Sequence, residues 1–381
     1  MPLSIGIFGR SSLENEHRLP VHPSHFQRLD PRIAACLFIE AGYGDKFDVT
    51  DDELAPHVGG VLTRSELIER CDVILLPKMQ PADLAALRDG QTVWGWPHCV
   101  QDAEIAQLAI DKKLTLIAFE AMNHWKSDGS FGLHVFHKNN ELAGYASVIH
   151  SLELMGVSGA YGRRLTAAVI GFGATARGAV TALNAHGIHE VRVLTMRSIS
   201  AVASPIHSAH MVQIDHVEDA EGGGSFAITD DDGRVPLAPY LAESDIVVNC
   251  TLQDPENPII YLRDEDLDAF RPGSLIVDVS CDEGMGFSWA EPTTFDDPVF
   301  VVGNRVHYYA VDHTPSLLWN SATWEISEAI SSYLETVSAG RAAWQQDETI
   351  RKAIEIQDGV VLNEAVLAFQ GREKEYPHAR R

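Results

Sequence analysis

Residues 166–178, TAAVIGFGATARG, decide the fold. Ala167, Ala168, Val169 and Ile170 form a short apolar run of the kind that makes a buried strand, and Val180 and Leu183 resume the apolar pattern at helical period. Between them Gly171, Gly173 and Ala176 supply G-x-G-x-x-A spacing. Without a Cβ, Gly171 can make the tight turn and Gly173 lets the main chain approach a pyrophosphate, while Ala176 lets the helix pack close to the strand. The free amides at the helix start then face the phosphates. The same spacing also serves as a plain βα turn, and the strand before it and helix after it favour the dinucleotide reading. Val191 to Leu194 reads as the second strand, about 20 residues past the glycines, where an Asp or Glu would hold the ribose hydroxyls of NAD. Thr195, Met196, Arg197 and Ser198 stand there instead. A cation and a hydroxyl suit a 2'-phosphate, which favours NADP; NAD stays open if Arg197 is a solvated loop residue.

Working outward, Ser244 to Cys250 is an apolar run that places Cys250 and Thr251 at a strand's carboxyl edge, where ligands of open α/β sheets bind. Ser274 to Ser280 is another, with Asp278 inside it and Asp282 just beyond its end. The N-terminal region repeats the alternation. Strands are expected at Ser4 to Phe8, Asp72 to Leu76, Val93 to Trp96 and Leu114 to Phe119, and helices at Pro81 to Leu87 and Ala103 to Lys112. Strands alternating with helices imply mostly parallel sheets. The expected architecture is α/β, with two Rossmann-like domains and an active-site cleft between them. Residues 1–140 plus about 320–381 would form a substrate domain, and 141–319 the dinucleotide-binding domain. Glu141 to Leu154 reads as a connecting helix and Ser321 to Val337 as a long helix returning to the first domain. Gly222 to Gly224 with Asp230 to Gly233 reads as an exposed insertion.

The chain has 381 residues, 45% of them hydrophobic, enough for two ordinary cores. A formal charge of −25 argues against nucleic acid and anionic membranes as partners, so any phosphate site must be local. Five scattered cysteines without C-x-x-C spacing fit a reducing cytosol and no metal site. No signal-peptide pattern and no run of about 18 apolar residues is present, so a cytoplasmic protein is expected.

Several ordered motifs extend the reading. They are Asn15-Glu16-His17-Arg18 with Val21 and Pro23, the Leu-Leu-Pro-Lys ending at Lys78, the strand ending in His98, Val277 to Gly284, and Pro292 to Pro298. Together they resemble the alanine dehydrogenase and pyridine nucleotide transhydrogenase family over nearly the whole chain. Phe136 to Gly144 resembles the N5-(carboxyethyl)ornithine synthase branch. Trp96 to Cys99 and Val311 to Leu318 resemble lysine-forming saccharopine dehydrogenase. The resemblance implies reductive C–N bond formation at the α-carbon of a 2-oxo acid, or its reverse, with an NADP or NAD cofactor and a homo-oligomeric assembly. The partners are a 2-oxo acid, with pyruvate favoured, and an amine, with ornithine or lysine favoured. The alternatives are an alanine dehydrogenase using ammonia and NAD, a saccharopine dehydrogenase-type enzyme and, from another class, a nucleotide-binding protein without catalysis.

Such chemistry must hold a carboxylate, polarise a carbonyl and move protons. Arg18, beyond the first strand, is the expected carboxylate clamp, since a guanidinium grips a carboxylate through two parallel hydrogen bonds; the bland alternative is a surface pair with Glu14 or Glu16. Lys78 follows an apolar strand and can polarise the oxo group or act as a base. His98 is the expected principal acid/base. By resemblance Asp282 lies near the nicotinamide ribose and the reacting centre. His313 matches the saccharopine type where alanine dehydrogenases have Asn, which counts against ammonia as the nitrogen donor. Glu120, ending the fourth strand, could bind a substrate ammonium.

Overall fold

The structure is a computed structural model that describes residues 2–197, 206, 208–217, 224–229, 233–253 and 257–381. The chain divides into two compact units, unit 1 comprising Met1–His137 with Trp319–Arg381 and unit 2 comprising Lys138–Leu318.

Unit 1 lays down β1 (Ile5–Ile7), β2 (Leu37–Glu40), β3 (Gly60–Leu62), β4 (Val73–Lys78), β5 (Thr92–Trp96) and β6 (Thr115–Ala118), then a hairpin of β7 (Asn123–Trp125) and β8 (Phe131–His134). Unit 2 contains β9 (Thr166–Ile170), β10 (Glu190–Thr195), β11 (His210–Val217), β12 (Gly224–Thr229), β13 (Gly233–Pro236), β14 (Ile246–Asn249), β15 (Ile260–Leu262), β16 (Leu275–Asp278), β17 (Gly286–Phe287), β18 (Val299–Val302) and β19 (Val306–Tyr309). The chain then returns to unit 1 with β20 (Ile354–Gln357) and β21 (Val360–Val361).

The two large sheets share one topology. Unit 1 runs β21-β20-β6-β5-β4-β1-β2-β3, and unit 2 runs β13-β12-β11-β10-β9-β14-β16-β19-β18. Among the parallel strands of either unit, chain order maps onto sheet order 3-2-1-4-5-6, the doubly wound Rossmann arrangement. Each sheet therefore has a switch point, between β1 and β4 in unit 1 and between β9 and β14 in unit 2. The edges are finished by antiparallel strands: β20 pairs with β6, β11 with β12, and β18 with β19.

The central strands are apolar on both faces, as helix-covered parallel strands require. Val73, Leu75, Ala168, Ile170, Val247 and Val248 are all essentially inaccessible, the valine, leucine and isoleucine side chains each contributing up to about 1.5–3 kcal/mol on burial. Of the insertion expected at Gly222 to Gly224 and Asp230 to Gly233, residues 222, 223 and 230–232 lie outside the described residues. Its described residues belong to the β12–β13 hairpin on the sheet edge, a pairing that alternation alone did not announce. The helix expected from Ser321 to Val337 is broken into Trp319–Ser331 and Leu334–Ala339. The Ser331 hydroxyl donates to the carbonyl of Glu328 (2.8 Å), a side-chain bond of the type that competes with helix continuation. No helix among the described residues is long and apolar enough to cross a membrane.

Candidate active site

In unit 1 the switch point is charged. The loop after β1 carries Asn15, in a left-handed conformation (φ 59°), then Glu16, His17 and Arg18. Arg18 is not the surface residue of the bland reading. It is 6% exposed, and Glu16, at 9%, takes its Nε–Nη2 edge with Nε donating to Oε1 at 2.9 Å. The Arg18 main-chain N–H also donates to Glu16 Oε1 (2.9 Å), so the carboxylate fixes both backbone and guanidinium. The guanidinium lies over the Trp96 ring, 5.2 Å from its centroid.

Lys78 ends β4 opposite Trp96 on β5. Pro77 has no N–H to give the ladder, and the pairing of β4 with β5 shifts register between Leu75 and Lys78. Gly95 permits this irregularity, because a Cβ there would lie 1.8 Å from the carbonyl oxygen of Leu76. The Ser11 hydroxyl donates to the Lys78 carbonyl (2.5 Å), tying the β1 loop to the end of β4.

His98 follows β5 in a left-handed conformation (φ 46°), a backbone state that non-glycine residues keep only when their surroundings enforce it. Glu120, after β6, supplies that enforcement: its Oε1 accepts the His98 main-chain N–H at 2.7 Å and lies 3.9 Å from His98 Nδ1. About a quarter of the Glu120 side chain is accessible (26%), yet Oε2 is closed off and has no hydrogen-bond partner. Burial, then the charge of Glu355 on β20, holds the Glu120 carboxyl well above the usual carboxylate range, while the His98 amide and the Lys78 ammonium pull the other way. Arg18 thus lies over Trp96, whose strand partner is Lys78, and Glu120 holds His98 and lies within electrostatic reach of Lys78.

In unit 2 the same topological position is lined by main chain. Gly171 has φ +113°, and a Cβ on it would lie 2.9 Å from the carbonyl oxygen of Cys250, so the turn after β9 and the end of β14 meet backbone to backbone. Gly173 is exposed, faces open space and precedes the 12-residue helix Ala174–Ala185 with no side chain capping its first amides. Ala176 is buried against the sheet. A glycine turn, an open approach and uncapped helix amides fit a pyrophosphate. Cys250 enters differently from expectation: its side chain is buried in the core and only its main chain lines the turn. Thr251 donates to Asn249 Oδ1 (2.7 Å), and Asn249 Nδ2 donates to Asp278 Oδ1 (3.0 Å). Ser280 donates to the Thr251 carbonyl (2.6 Å). Burial pushes Asp278 up to about 6 against hydrogen bonds from Tyr308, Cys281 N–H and Asn249, which identifies it as the anchor of this edge. Asp282 lies one residue past Cys281, itself left-handed (φ 46°).

Arg197 is exposed just beyond β10, its N–H donating to Thr195 Oγ1 (3.1 Å). Ser198 lies outside the described residues. His313 has φ 46°, packs edge-on against Phe295 (5.0 Å between centroids) and receives Asp312 beside its Nδ1 (3.7 Å). Asn249 and Glu355 were missed from sequence, and Glu16 was read only as a surface partner of Arg18, whereas the pair is buried. Asn249 was legible as the lone polar residue closing an apolar strand; Glu355 and the burial of Glu16 needed tertiary structure.

A doubly wound fold with a phosphate-ready turn, together with a second sheet whose edge carries Arg18, Lys78 and His98, fits a nucleotide-binding enzyme of the α/β class. Residues 10–143 match the alanine dehydrogenase/PNT N-terminal domain and residues 154–364 the C-terminal domain of the same family, and the chain belongs to it. It is an NAD(P)-dependent oxidoreductase of the amino-acid dehydrogenase type. It is 22% identical over 339 residues to the N(5)-(carboxyethyl)ornithine synthase of Lactococcus lactis subsp. lactis, covering 86% of this chain and 94% of that one. It is 24% identical over 362 residues to the alanine dehydrogenase of Mycobacterium tuberculosis (strain ATCC 25618 / H37Rv), covering 94% of each. In fold it is similar to an L-alanine dehydrogenase, with TM-score 0.73, 18% identity and coverage of 96% of this chain and 99% of that one. A transhydrogenase from Sinorhizobium meliloti gives TM-score 0.68, 21% identity and coverage of 95% and 99%.

Proposed function

We propose that the enzyme joins a 2-oxo acid, pyruvate by preference, to the side-chain amine of ornithine or lysine, forming a secondary amine at the expense of NADPH. The observation that carries this reading is that one sheet edge brings together Arg18 over Trp96, Lys78 paired to Trp96, and His98 in a strained turn fixed by Glu120, which also feels the Lys78 charge. A non-catalytic nucleotide binder has no use for such a set. The extensive similarity to an N(5)-(carboxyethyl)ornithine synthase supports the choice of substrates.

Glu16 orients the Arg18 guanidinium, which would grip the substrate carboxylate. Lys78 would polarise the oxo group as the amine nitrogen attacks it. A proton leaves nitrogen, and His98 delivers one to the carbinolamine oxygen, so that water departs and an imine remains. A nicotinamide, when bound, supplies the hydride that reduces this imine. Gly171, Gly173 and Ala176 would hold its pyrophosphate, Thr251 and Asp282 its nicotinamide half, and Arg197 a 2'-phosphate. We read Glu120 as support for His98 and Lys78, in place of the substrate-ammonium contact expected from sequence, because its two oxygens are turned to His98 and to the interior. His313, close to Asp312, is assigned to the amine substrate.

The test is absorbance of NADPH and NADH with pyruvate or 2-oxoglutarate offered against ammonia, ornithine and lysine, with mass spectrometry of the product. NADPH oxidation that requires ornithine or lysine, with a secondary amine as product, is the expected result. Oxidation of NADH with ammonia alone moves the protein to alanine formation.

A further inference from the structure

Behind Glu120 lies a group supplied by the far end of the chain. Glu355 sits on β20, antiparallel to β6, and only 5% of it is accessible. Both its oxygens accept hydrogen bonds: Oε2 from the Cys99 thiol at 2.6 Å and Oε1 from Asn363 Nδ2 at 3.0 Å. Cys99 is fully buried and directly follows His98. Its burial, with the charges of Glu355 and Glu120, holds the thiol well above its usual range, so the sulfur keeps its proton and acts as a donor. Burial raises the Glu355 carboxyl above its usual range, and the hydrogen bonds from Cys99 and Asn363 oppose that rise by favouring the carboxylate. Glu120 is the complement: Oε1 accepts a main-chain N–H, and Oε2 is closed off with no partner, the natural place for a proton. The charge of Glu355 acts on Glu120, two carboxyls coupled in this way do not both ionise cheaply, and the one with donors on both oxygens keeps the charge.

We propose that Glu355 is a positioning residue for the reaction: by holding the negative charge of the pair it keeps Glu120 protonated, and so keeps Lys78 and His98 beside a neutral group. The inference rests on the reading that His98 and Lys78 move protons. The groups facing Glu120 are Lys78 from β4, His98 and Cys99 after β5, Glu355 from β20 and His134 from β8, whose Nε2 lies 3.2 Å from the Glu120 carbonyl oxygen. Burial lowers His134 to about 4, so it brings no charge near neutral pH. An ionised Glu120 would hold protons on its cationic neighbours; a neutral Glu120 leaves them able to exchange protons.

The test reads the proton directly, without substrate. Infrared difference spectra of the full-length protein near neutral pH should contain the carbonyl stretch of one buried protonated carboxyl that disappears in Glu120→Gln. In Glu355→Gln, which keeps shape and removes charge, that band should titrate away about one pH unit or more lower. In activity assays the basic limb of the kcat/KM profile should move to higher pH in Glu355→Gln and return in Glu355→Asp. A band that persists in Glu120→Gln overturns the proposal. So does a Glu355→Gln protein with wild-type circular dichroism whose band titrates as in the wild type. If Glu355→Gln does not fold, the Glu120→Gln comparison still decides whether Glu120 carries the proton. Loss of the band in Glu120→Gln in a protein that turns over none of the proposed substrates would remove the reaction while leaving the carboxyl pair in place.

Discussion

The two sheets have the same strand order and opposite chemistry at the same point. After the first strand of unit 2 the chain turns on Gly171 and enters a helix within four residues; after the first strand of unit 1 it makes a long loop that buries the Glu16–Arg18 pair. At the end of the fourth strand, unit 2 has Asn249 and Thr251 hydrogen-bonded to each other, whereas unit 1 has Lys78 behind a proline-induced register shift. Topology fixes where a ligand can sit, and the residues after strands 1 and 4 decide what can happen there. One edge is built of main chain and of hydrogen bonds anchored on the buried Asp278, suited to holding a nucleotide. The other is built of paired charges, suited to moving protons.

The largest effect expected from breaking this contrast is on the charged edge. His98→Ala should lower turnover by about 10²–10⁴-fold, the usual worth of a positioned acid/base, read by steady-state kinetics; turnover within a few-fold of wild type would remove His98 from proton transfer. Next comes the unit 2 edge. Gly171→Val forces a β-branched residue to φ +113° and places its Cβ against the carbonyl of Cys250, a strain of about 1–3 kcal/mol or roughly ten- to a hundredfold in NADPH affinity. A fluorescence titration that finds unchanged affinity would contradict the role of the turn.

Asp278 sharpens the comparison through stability. Its carboxyl is raised from 3.8 to about 6 by burial, so its contribution to folding is full below the unfolded value and is lost as pH rises through the folded one. Relative to Asp278→Asn, the wild type should therefore lose about 2–3 kcal/mol between about pH 4 and pH 6, read from urea midpoints at the two pH values. A constant difference between the two proteins would place the anchor of this edge elsewhere. The smallest effect is at the exposed Arg197. Arg197→Ala should raise the KM for NADPH about three- to tenfold and leave that for NADH unchanged, since a solvated charge pair is worth little. Equal effects on both cofactors would favour NAD as the natural one.

The unit 2 edge was largely legible from sequence because its requirements are local. A glycine spacing, a strand before it and a helix after it state a backbone geometry within 13 residues. Lys78 and His98 were legible as polar residues closing apolar strands. What could not be read is what long-range contacts decide. The Glu16–Arg18 pair was foreseen only as a surface contact, and its burial is set by the fold around the loop. Glu120 turns to His98, and the charge that governs it comes from Glu355, in a strand paired to β6 from the other end of the chain. Cys250 looked like a ligand contact because it ended an apolar run, but the strand carries it inward and presents only its carbonyl. The break after Ser331 was hidden because apolar periodicity continues through it.

The division of labour between the two edges is tested most directly by calorimetric titration of NADPH into His98→Ala. The account predicts a dissociation constant within about twofold of the wild type, as for sites that do not share partners. A tenfold weaker constant would contradict it, because the residue assigned to proton transfer would then be holding the nucleotide.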